Sequence, residues 1–208
     1  MVKITKAAHD FIVQNRNLLD TNNLDEFFKI AFNSSHMGIR NYLCLTNLMY
    51  QKYPECLKHM ESIPPYFFAY SDMNEIVIPD NIKVIQYSAF YNSKIKNIKL
   101  PDTLQRLDWD SFNGCRLLKS IVIPNSVDTL SDRTFKDCAS LKKITLPKDL
   151  ETMVRTCFYD CNNLETVIYD GSRRNFLKHS FESAFDWSGN KDNIKVWCSD
   201  GQLDLSEY

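Results

Sequence analysis

Cysteines are the residues of this chain with the widest chemical potential, because a thiolate can bind a metal, act as a nucleophile or form a disulfide. The chain has seven. Cys115, Cys138 and Cys161 recur at one constant spacing, each three positions after a phenylalanine. We interpret these three as a column of small buried hydrophobic side chains. A disulfide between neighbours is geometrically feasible, but an intracellular chain would keep these thiols reduced.

Cys157 and Cys161 are the one pair with spacing that suggests a metal, since a step of four positions makes about one helical turn. No second pair of ligands with suitable spacing follows. The four histidines lie outside the repeats described below and have no recognisable spacing: His9, His36, His59 and His179. We therefore predict neither a metal site nor a cofactor.

Asp108 and Asp110 place two carboxylates close together, an arrangement used for acid–base catalysis. Leu107 and Phe112 flank them, so we place both carboxylates on an exposed bend and interpret them as solvated. The sequence has no phosphate-binding glycine loop, no nucleophile elbow and no His-Glu-x-x-His helix. These observations predict a protein that is not an enzyme.

Composition is that of an ordinary globular chain: 208 residues, 44% of them apolar, with a net charge of −1. This balance argues against a disordered tail and against a generally nucleic-acid-binding protein. The N-terminal segment contains no uninterrupted apolar leader, and no segment approaches the run of about 18 apolar residues that a membrane span needs. We expect a chain that stays in the cytoplasm and does not enter a membrane.

A fixed period organises the middle of the chain. Ile-Pro or Leu-Pro steps begin at positions 78, 100, 123 and 146, so the interval between successive steps is almost constant. A period in the twenties is the signature of a solenoid. One phenylalanine per interval keeps the same period: Phe68, Phe90, Phe112, Phe135 and Phe158.

Two further columns complete the repeat. An aliphatic residue lies five positions before each phenylalanine: Ile63, Ile85, Leu107, Leu130 and Met153. A segment with period-two alternation precedes each proline, as a half-buried strand requires, and the proline ends the strand because it has no N–H to donate. We predict five rungs over residues 63–169. The pattern stops at Asp170-Gly171, and a short aromatic helix and a strand over 193–198 should close the solenoid.

The segment before the repeats, residues 1–62, has no internal period. Apolar residues at helical spacing predict three helices, with breaks at residues 20–23 and 34–38 and one short turn at residues 56–60. We therefore predict three parts: a helical N-terminal domain (1–62), the repeats (63–169) and a C-terminal cap (170–208).

The repeat resembles the BspA-type leucine-rich repeat, most closely in residues 118–141, LKSIVIPNSVDTLSDRTFKDCASL. The resemblance extends over residues 63–169; Ser71 and Ser93 replace the column cysteine in the first two rungs. The tail, with Tyr169-Asp170-Gly171 and residues 196–201, is similar to a common end cap of these proteins. The helical N-terminus followed by Ile63-Pro64-Pro65 resembles short, leaderless repeat proteins of gut bacteria and their phages.

The resemblance implies an α+β leucine-rich-repeat solenoid of five 22–23-residue rungs, with a helical N-terminal domain and a C-terminal cap. It also implies a non-enzymatic protein-binding module, which, without an apolar leader, we expect in the cytoplasm of a bacterial host. A sharper form of this hypothesis is a phage-encoded inhibitor of a host defence protein. Two alternatives stay open: a surface or secreted adhesin, since surface-exposed members bind host proteins, and a structural virion component.

Outward-facing positions of the predicted strands form the candidate site. They combine a β-branched column with clustered lysines: Val77, Lys96, Lys99, Lys119, Val122, Lys142, Lys143, Thr145 and Ile168. Such a surface fits a protein partner that is acidic or has an apolar patch. β-Branched residues can also merely stabilise strands, and lysines can merely keep a sheet soluble. Without arginine or an aromatic row on this face, we do not expect nucleic acid. The oligomeric state is left open.

Overall fold

The computed structural model describes residues 6–20, 23–34, 38–52 and 54–207. Its N-terminal part contains α1 (Lys6–Gln14), α2 (Arg16–Asp20), α3 (Leu24–Asn33) and α4 (Gly38–Lys52), followed by a 3-10 helix, Pro54–His59. Of the predicted breaks at residues 20–23 and 34–38, residues 21–22 and 35–37, with His36 among them, lie outside the described residues. The first predicted helix is divided at Asn15, whose backbone N–H and side-chain amide both donate to the Phe11 carbonyl at 3.0 Å.

Helices and repeats share one hydrophobic core. Phe28 on α3 packs edge-to-face on Phe67 of the first rung, with ring centroids 5.0 Å apart. Asp25, in the first turn of α3, accepts hydrogen bonds from the backbone N–H of Glu61 at 2.9 Å and from the hydroxyl of Ser62 at 3.2 Å. Its carboxylate thus binds the first turn of the solenoid. The domain boundaries proposed above stay a prediction.

One side of the solenoid is a parallel sheet of very short strands. Each strand ends on the aliphatic residue that precedes the phenylalanine by five positions, and every one of these five side chains is buried. The strands pair in the order β1 (Ser62–Ile63), β3 (Val84–Ile85), β5 (Arg106–Leu107), β7 (Thr129–Leu130) and β9 (Thr152–Met153).

A second side is built from the segments that precede the prolines. β2 (Glu75–Val77) and β4 (Asn97–Lys99) form a two-stranded sheet, and the remaining strands form a five-stranded one. Its members are β6 (Ser120–Val122), β8 (Lys143–Leu146), β10 (Thr166–Tyr169), β11 (Lys195–Cys198) and β12 (Gly201–Asp204). All neighbours pair in parallel except β11 and β12. The predicted fold class, a solenoid of about five turns with helices before it, is confirmed.

The phenylalanine column forms a stack of buried rings along the solenoid axis. Successive centroids are 5.0 to 5.7 Å apart from Phe68 to Phe158, and every pair is close to parallel. The stack continues beyond the predicted end of the repeat, because Phe185 stacks on Phe158 at 5.1 Å and 11°. The expectation that the pattern stops at Asp170-Gly171 is therefore wrong for this column.

The cysteine column is buried as expected: Cys115, Cys138 and Cys161 are all fully inaccessible. Each thiol donates a hydrogen bond to the carbonyl oxygen of the phenylalanine one rung earlier, at 3.1, 3.3 and 3.0 Å. Burial raises the pKa of the Cys115 and Cys161 thiols to about 12, which keeps them protonated and unreactive. The interpretation of this column as a packing element is confirmed.

The C-terminal cap contains a strand that the sequence does not predict. α5 (Arg173–Lys178) and a 3-10 helix, Phe181–Phe185, occupy the aromatic segment, and β11 occupies the predicted final strand. The chain then turns at Gly201 and adds β12 antiparallel to β11. The cap thus lengthens the sheet by two strands instead of only covering its end.

Candidate protein-binding face

Strand register aligns the predicted outward residues across the sheet. Val122, Thr145 and Ile168 are direct neighbours on β6, β8 and β10, and Val77 pairs with Lys99 on β2 and β4. The exposed fraction is 68% for Val77 and 63% for Val122, whereas Thr145 and Ile168 are half-buried. The two valines are thus large apolar side chains that the fold leaves in contact with solvent.

A seam interrupts this face between β4 and β6. In the described part of the chain these two strands share no register pairs, so the predicted outward column does not lie on one continuous sheet. The seam follows the change in repeat length, since the added residue falls between Phe112 and Leu118, just before β6. There Gly114 adopts φ +74°, and a Cβ at this position would meet the side chain of Asn92.

The seam separates the predicted site residues into two groups. Val77, Lys96 and Lys99 belong to the two-stranded sheet, and the other six lie with the five-stranded sheet. One long backbone hydrogen bond, from the N–H of Lys119 to the carbonyl of Lys96 at 3.3 Å, joins the two groups. A partner that covers both groups would have to cross the seam.

Trp197 extends the outward column, and the sequence analysis missed it. It lies directly beside Ile168 in the register of β10 and β11, and it is 47% exposed. The alternation of Val196-Trp197-Cys198 matches Val167-Ile168-Tyr169 and predicts that Trp197 faces outward, but it does not predict which strand lies beside it. We define the apolar stripe as Val122, Thr145, Ile168 and Trp197.

Lysines border the apolar stripe on one side. Lys143 is in register with Ser120 and Thr166, and Lys195 continues the same row on β11. Lys119 and Lys142 lie one position earlier in their strands. Lys142 forms an exposed ion pair with Glu165 at 3.6 Å, a contact that contributes little. Lys119 and Lys143 make no ion pair with any other described residue, so their charges face solvent.

Asp108 and Asp110 are not the solvated pair that we expected. Asp110 is buried, adopts φ +57° and forms an ion pair with Arg133 at 3.2 Å. It also accepts a hydrogen bond from the side chain of Asn113 at 2.7 Å. Asp108 is half-buried and pairs with Arg106 at 2.7 Å. Both carboxylates are thus held in separate ion pairs, which fix the bend.

A second row of aromatic rings lies at the junction of helices and rungs. Trp109 is 46% exposed and stacks on Tyr87 with centroids 4.8 Å apart and planes nearly parallel. Tyr87 in turn contacts Tyr66 and Phe32 of α3 edge-to-face. These rings pack the helical part of the chain against the first three rungs.

Metal chemistry finds no support in the described residues, where no group of three or more His, Cys, Asp or Glu side chains could hold an ion. Cys157 and Cys161 are both buried. Among those residues, too, no helix is long and apolar enough to cross a membrane.

Short parallel strands, an axial stack of phenylalanines and a column of buried cysteines together define a leucine-rich repeat solenoid. The family model described as "BspA type Leucine rich repeat region" matches residues 61–186 with six copies. The chain therefore belongs to the BspA-type leucine-rich repeat family. The sixth copy agrees with the continuation of the phenylalanine stack to Phe185.

Solved structures similar to the chain include two bacterial leucine-rich repeat proteins. A leucine-rich cell surface protein from Faecalibacterium prausnitzii is 26% identical over 57% of this chain and 32% of its own length, with a TM-score of 0.56. The leucine-rich repeat protein of T. pallidum is 26% identical over 51% of each chain, with a TM-score of 0.50. The chain thus spans about a third of one and half of the other. No curated protein matches the sequence.

The family and fold are those of protein-interaction or surface-binding modules and are typically non-enzymatic. The family and the fold do not specify which partner is bound.

Proposed function

We propose that this chain is a non-enzymatic protein-binding module that contacts its partner with the apolar stripe and the lysines beside it. The observation that carries the proposal is Trp197, which lies half-exposed in register with Ile168 at the end of a rigid sheet. Tryptophan is enriched among the residues that dominate binding energy at protein interfaces. A strand that needed only to be soluble would not place its largest side chain in water.

Charge supports an acidic partner. The protein as a whole is near neutral, yet the lysines Lys119, Lys142, Lys143 and Lys195 gather along one border of the apolar stripe. Exposed charges of one sign accelerate association with a partner of the opposite sign and exclude partners of the same sign. Cationic borders around an apolar centre also match the usual arrangement of an interface, a hydrophobic core inside a polar rim.

The partner that we propose is a protein of the bacterial host, bound in the cytoplasm and inhibited by a phage-encoded chain. The similarity of the repeats and helical N-terminus to short proteins of gut bacteria and their phages motivates this form of the proposal. A second candidate is a surface-binding module, favoured by the similarity to the Faecalibacterium prausnitzii cell surface protein. Both functions use the same face and differ in where the partner is found.

Affinity capture with purified protein tests the proposal. Bait chains are incubated with a bacterial lysate and, separately, with extracellular proteins of an animal host. We expect one or more proteins to be retained by the wild type and lost from Trp197→Ala and from the triple variant Lys119→Glu, Lys142→Glu, Lys143→Glu. The source of the retained protein separates the two candidates.

Matched controls change residues of the same type elsewhere on the surface. Trp187→Ala removes a 53% exposed tryptophan that is not on the sheet face. The triple variant Lys58→Glu, Lys94→Glu, Lys178→Glu changes the net charge equally at exposed positions away from the apolar stripe. Both control variants should retain the partner. Retention of the same proteins by all variants would exclude the apolar stripe as the binding surface.

A further inference from the structure

The apolar stripe crosses the strands at right angles, because its four residues are direct register neighbours. Neighbouring strands lie about 4.8 Å apart, so four rungs span about 14 Å. An α-helix rises about 5.4 Å per turn. A helix along the solenoid axis would therefore present one side chain to each rung, with a mismatch of only about 2 Å over the whole stripe.

An extended segment fits the same stripe poorly. Its side chains on one face repeat about every 6.8 Å, which accumulates a mismatch of about 6 Å over the three rung intervals. That distance exceeds one rung, so a strand laid along the axis would lose register with Ile168 or Trp197. The spacing of the exposed residues thus favours a helix.

Charge on the two sides of the stripe is unequal. A helix about 10 Å wide reaches about 5 Å beyond its axis on either side, close to residues two or three positions along each strand. On one side these positions hold Lys119, Lys142, Lys143 and Lys195, with Glu165 among them and Asp204 of β12 in register with Lys195, so this side keeps a net positive charge. On the other side they hold Asn125, Lys148, Asp170 and Asp200, with a net charge of −1. An acidic helix that lies on the stripe would therefore be attracted to the sheet along one flank only, the flank that faces the lysines.

From the spacing of the stripe residues and the unequal charge on its two sides, we infer that the element of the partner that binds the apolar stripe is an amphipathic α-helix. Its axis runs across the strands, its apolar side chains contact Val122, Ile168 and Trp197, and one flank carries acidic residues that face the lysines. The inference rests on the proposed function and names the chemistry of the partner at the same face.

The test uses designed peptides of about five helical turns with leucines spaced i, i+4, i+7 and i+11. The first peptide has glutamates on one flank of the leucine row. The second has lysines at those positions, and the third has the sequence of the first with one central proline. Binding is followed through Trp197 fluorescence in the variant Trp109→Phe, Trp187→Phe, where it is the one remaining tryptophan.

We expect the acidic helical peptide to shift Trp197 emission to shorter wavelength, and the lysine and proline peptides to bind at least about tenfold more weakly. Peptide binding should also fall at least about tenfold in Ile168→Asp. Equal binding of the acidic peptide and its proline variant would overturn the helix, as would the absence of binding by all three peptides.

Failure of the helix and failure of the proposed function give different results. If Trp197→Ala loses its captured protein while none of the peptides binds, the face is a binding site but its partner is not a helix. If capture does not depend on Trp197 or the lysines, the proposed function itself is wrong.

Discussion

The thiol of Cys115 donates a hydrogen bond to the carbonyl oxygen of Phe90 in the preceding rung, with sulfur and oxygen 3.1 Å apart. The same thiol lies 3.4 Å from the hydroxyl of Ser93, which fills the cysteine position of that rung. Ser71 fills the position in the first rung, and no described residue hydrogen-bonds its hydroxyl. No earlier rung supplies a phenylalanine carbonyl, so the hydrogen bond that the column cysteines make to the preceding rung has no acceptor at Ser71.

The Cys115 thiol should make stability fall at alkaline pH. Burial raises its pKa from the ordinary 9.0 to about 12. The folded protein keeps the proton where the unfolded chain releases it, so the contribution is full below pH 9 and is lost as pH rises towards 12. We expect the unfolding free energy of the wild type to fall faster than that of Cys115→Ser, by up to about 1.4 kcal/mol per pH unit. Urea unfolding at several pH values measures the difference, and parallel curves would contradict it.

Phe185 should stabilise the protein as a sixth member of the phenylalanine stack. Phe185→Ala removes a fully buried ring that contacts Phe158 and Phe176. Because the cavity lies inside the stack, we expect a loss of about 3–5 kcal/mol in unfolding free energy. Trp187→Ala, at an exposed position nearby in the chain, serves as the control and should cost about 1 kcal/mol or less. Similar losses in the two variants would place Phe185 outside the core.

Asp110 should matter for stability and Asp108 should not. Asp110→Ala removes one of the two carboxylates paired with Arg133, which keeps its ion pair with Asp132, and places alanine at φ +57°, so we expect a loss of about 1–3 kcal/mol. Asp110→Asn tolerates that backbone conformation better and should lose less. Asp108→Asn breaks only a pair with the exposed side chain of Arg106 and should cost about 1 kcal/mol or less. Chemical denaturation of the three variants checks this order.

Gly171 should be essential to the turn that follows β10. A Cβ at this position would lie 2.5 Å from the ring of Tyr169, which is itself buried and donates a hydrogen bond to the Lys148 carbonyl at 3.1 Å. Gly171→Ala should therefore destabilise the protein by about 1–3 kcal/mol. Truncating the ring in Tyr169→Val removes the clash, so the double variant should lose less than the sum of the two single changes. A strictly additive cycle would rule out the contact as the cause.

Local sequence was sufficient for the rungs. Proline ends a strand, alternation sets which face is buried, and both act over a short stretch of chain, so the inward-facing Ile121 and Ile144 could be assigned from their neighbours alone. Cys138 could be assigned as buried because it lies three positions after Phe135, the same separation as in the neighbouring rungs. Each of these assignments repeats in every rung, and the repetition removed the ambiguity that one segment would have had.

Features that depend on contacts between distant segments could not be predicted in this way. Trp197 joins the apolar stripe because the cap between β10 and β11 returns the chain to the edge of β10, and no local rule measures that return. Asp110 is buried because Arg133, one rung later, neutralises it. The seam between β4 and β6 arises from one added residue, whose effect on strand pairing depends on where the turn absorbs it.

The seam also has a consequence for cooperativity. In a solenoid each rung contacts only its neighbours, so unfolding of one half is transmitted to the other through a single junction. At this junction the two-stranded and five-stranded sheets share no register pair and are joined by the long Lys119–Lys96 bond, and the opposite sheet keeps one register pair, Leu107 with Leu130. The turns on the third side remain bonded, with the N–H groups of Phe112 and Gly114 donating to the carbonyls of Thr134 and Lys136. Amide protons on the two sides of the junction should therefore exchange with solvent as two separate groups, each with its own opening free energy.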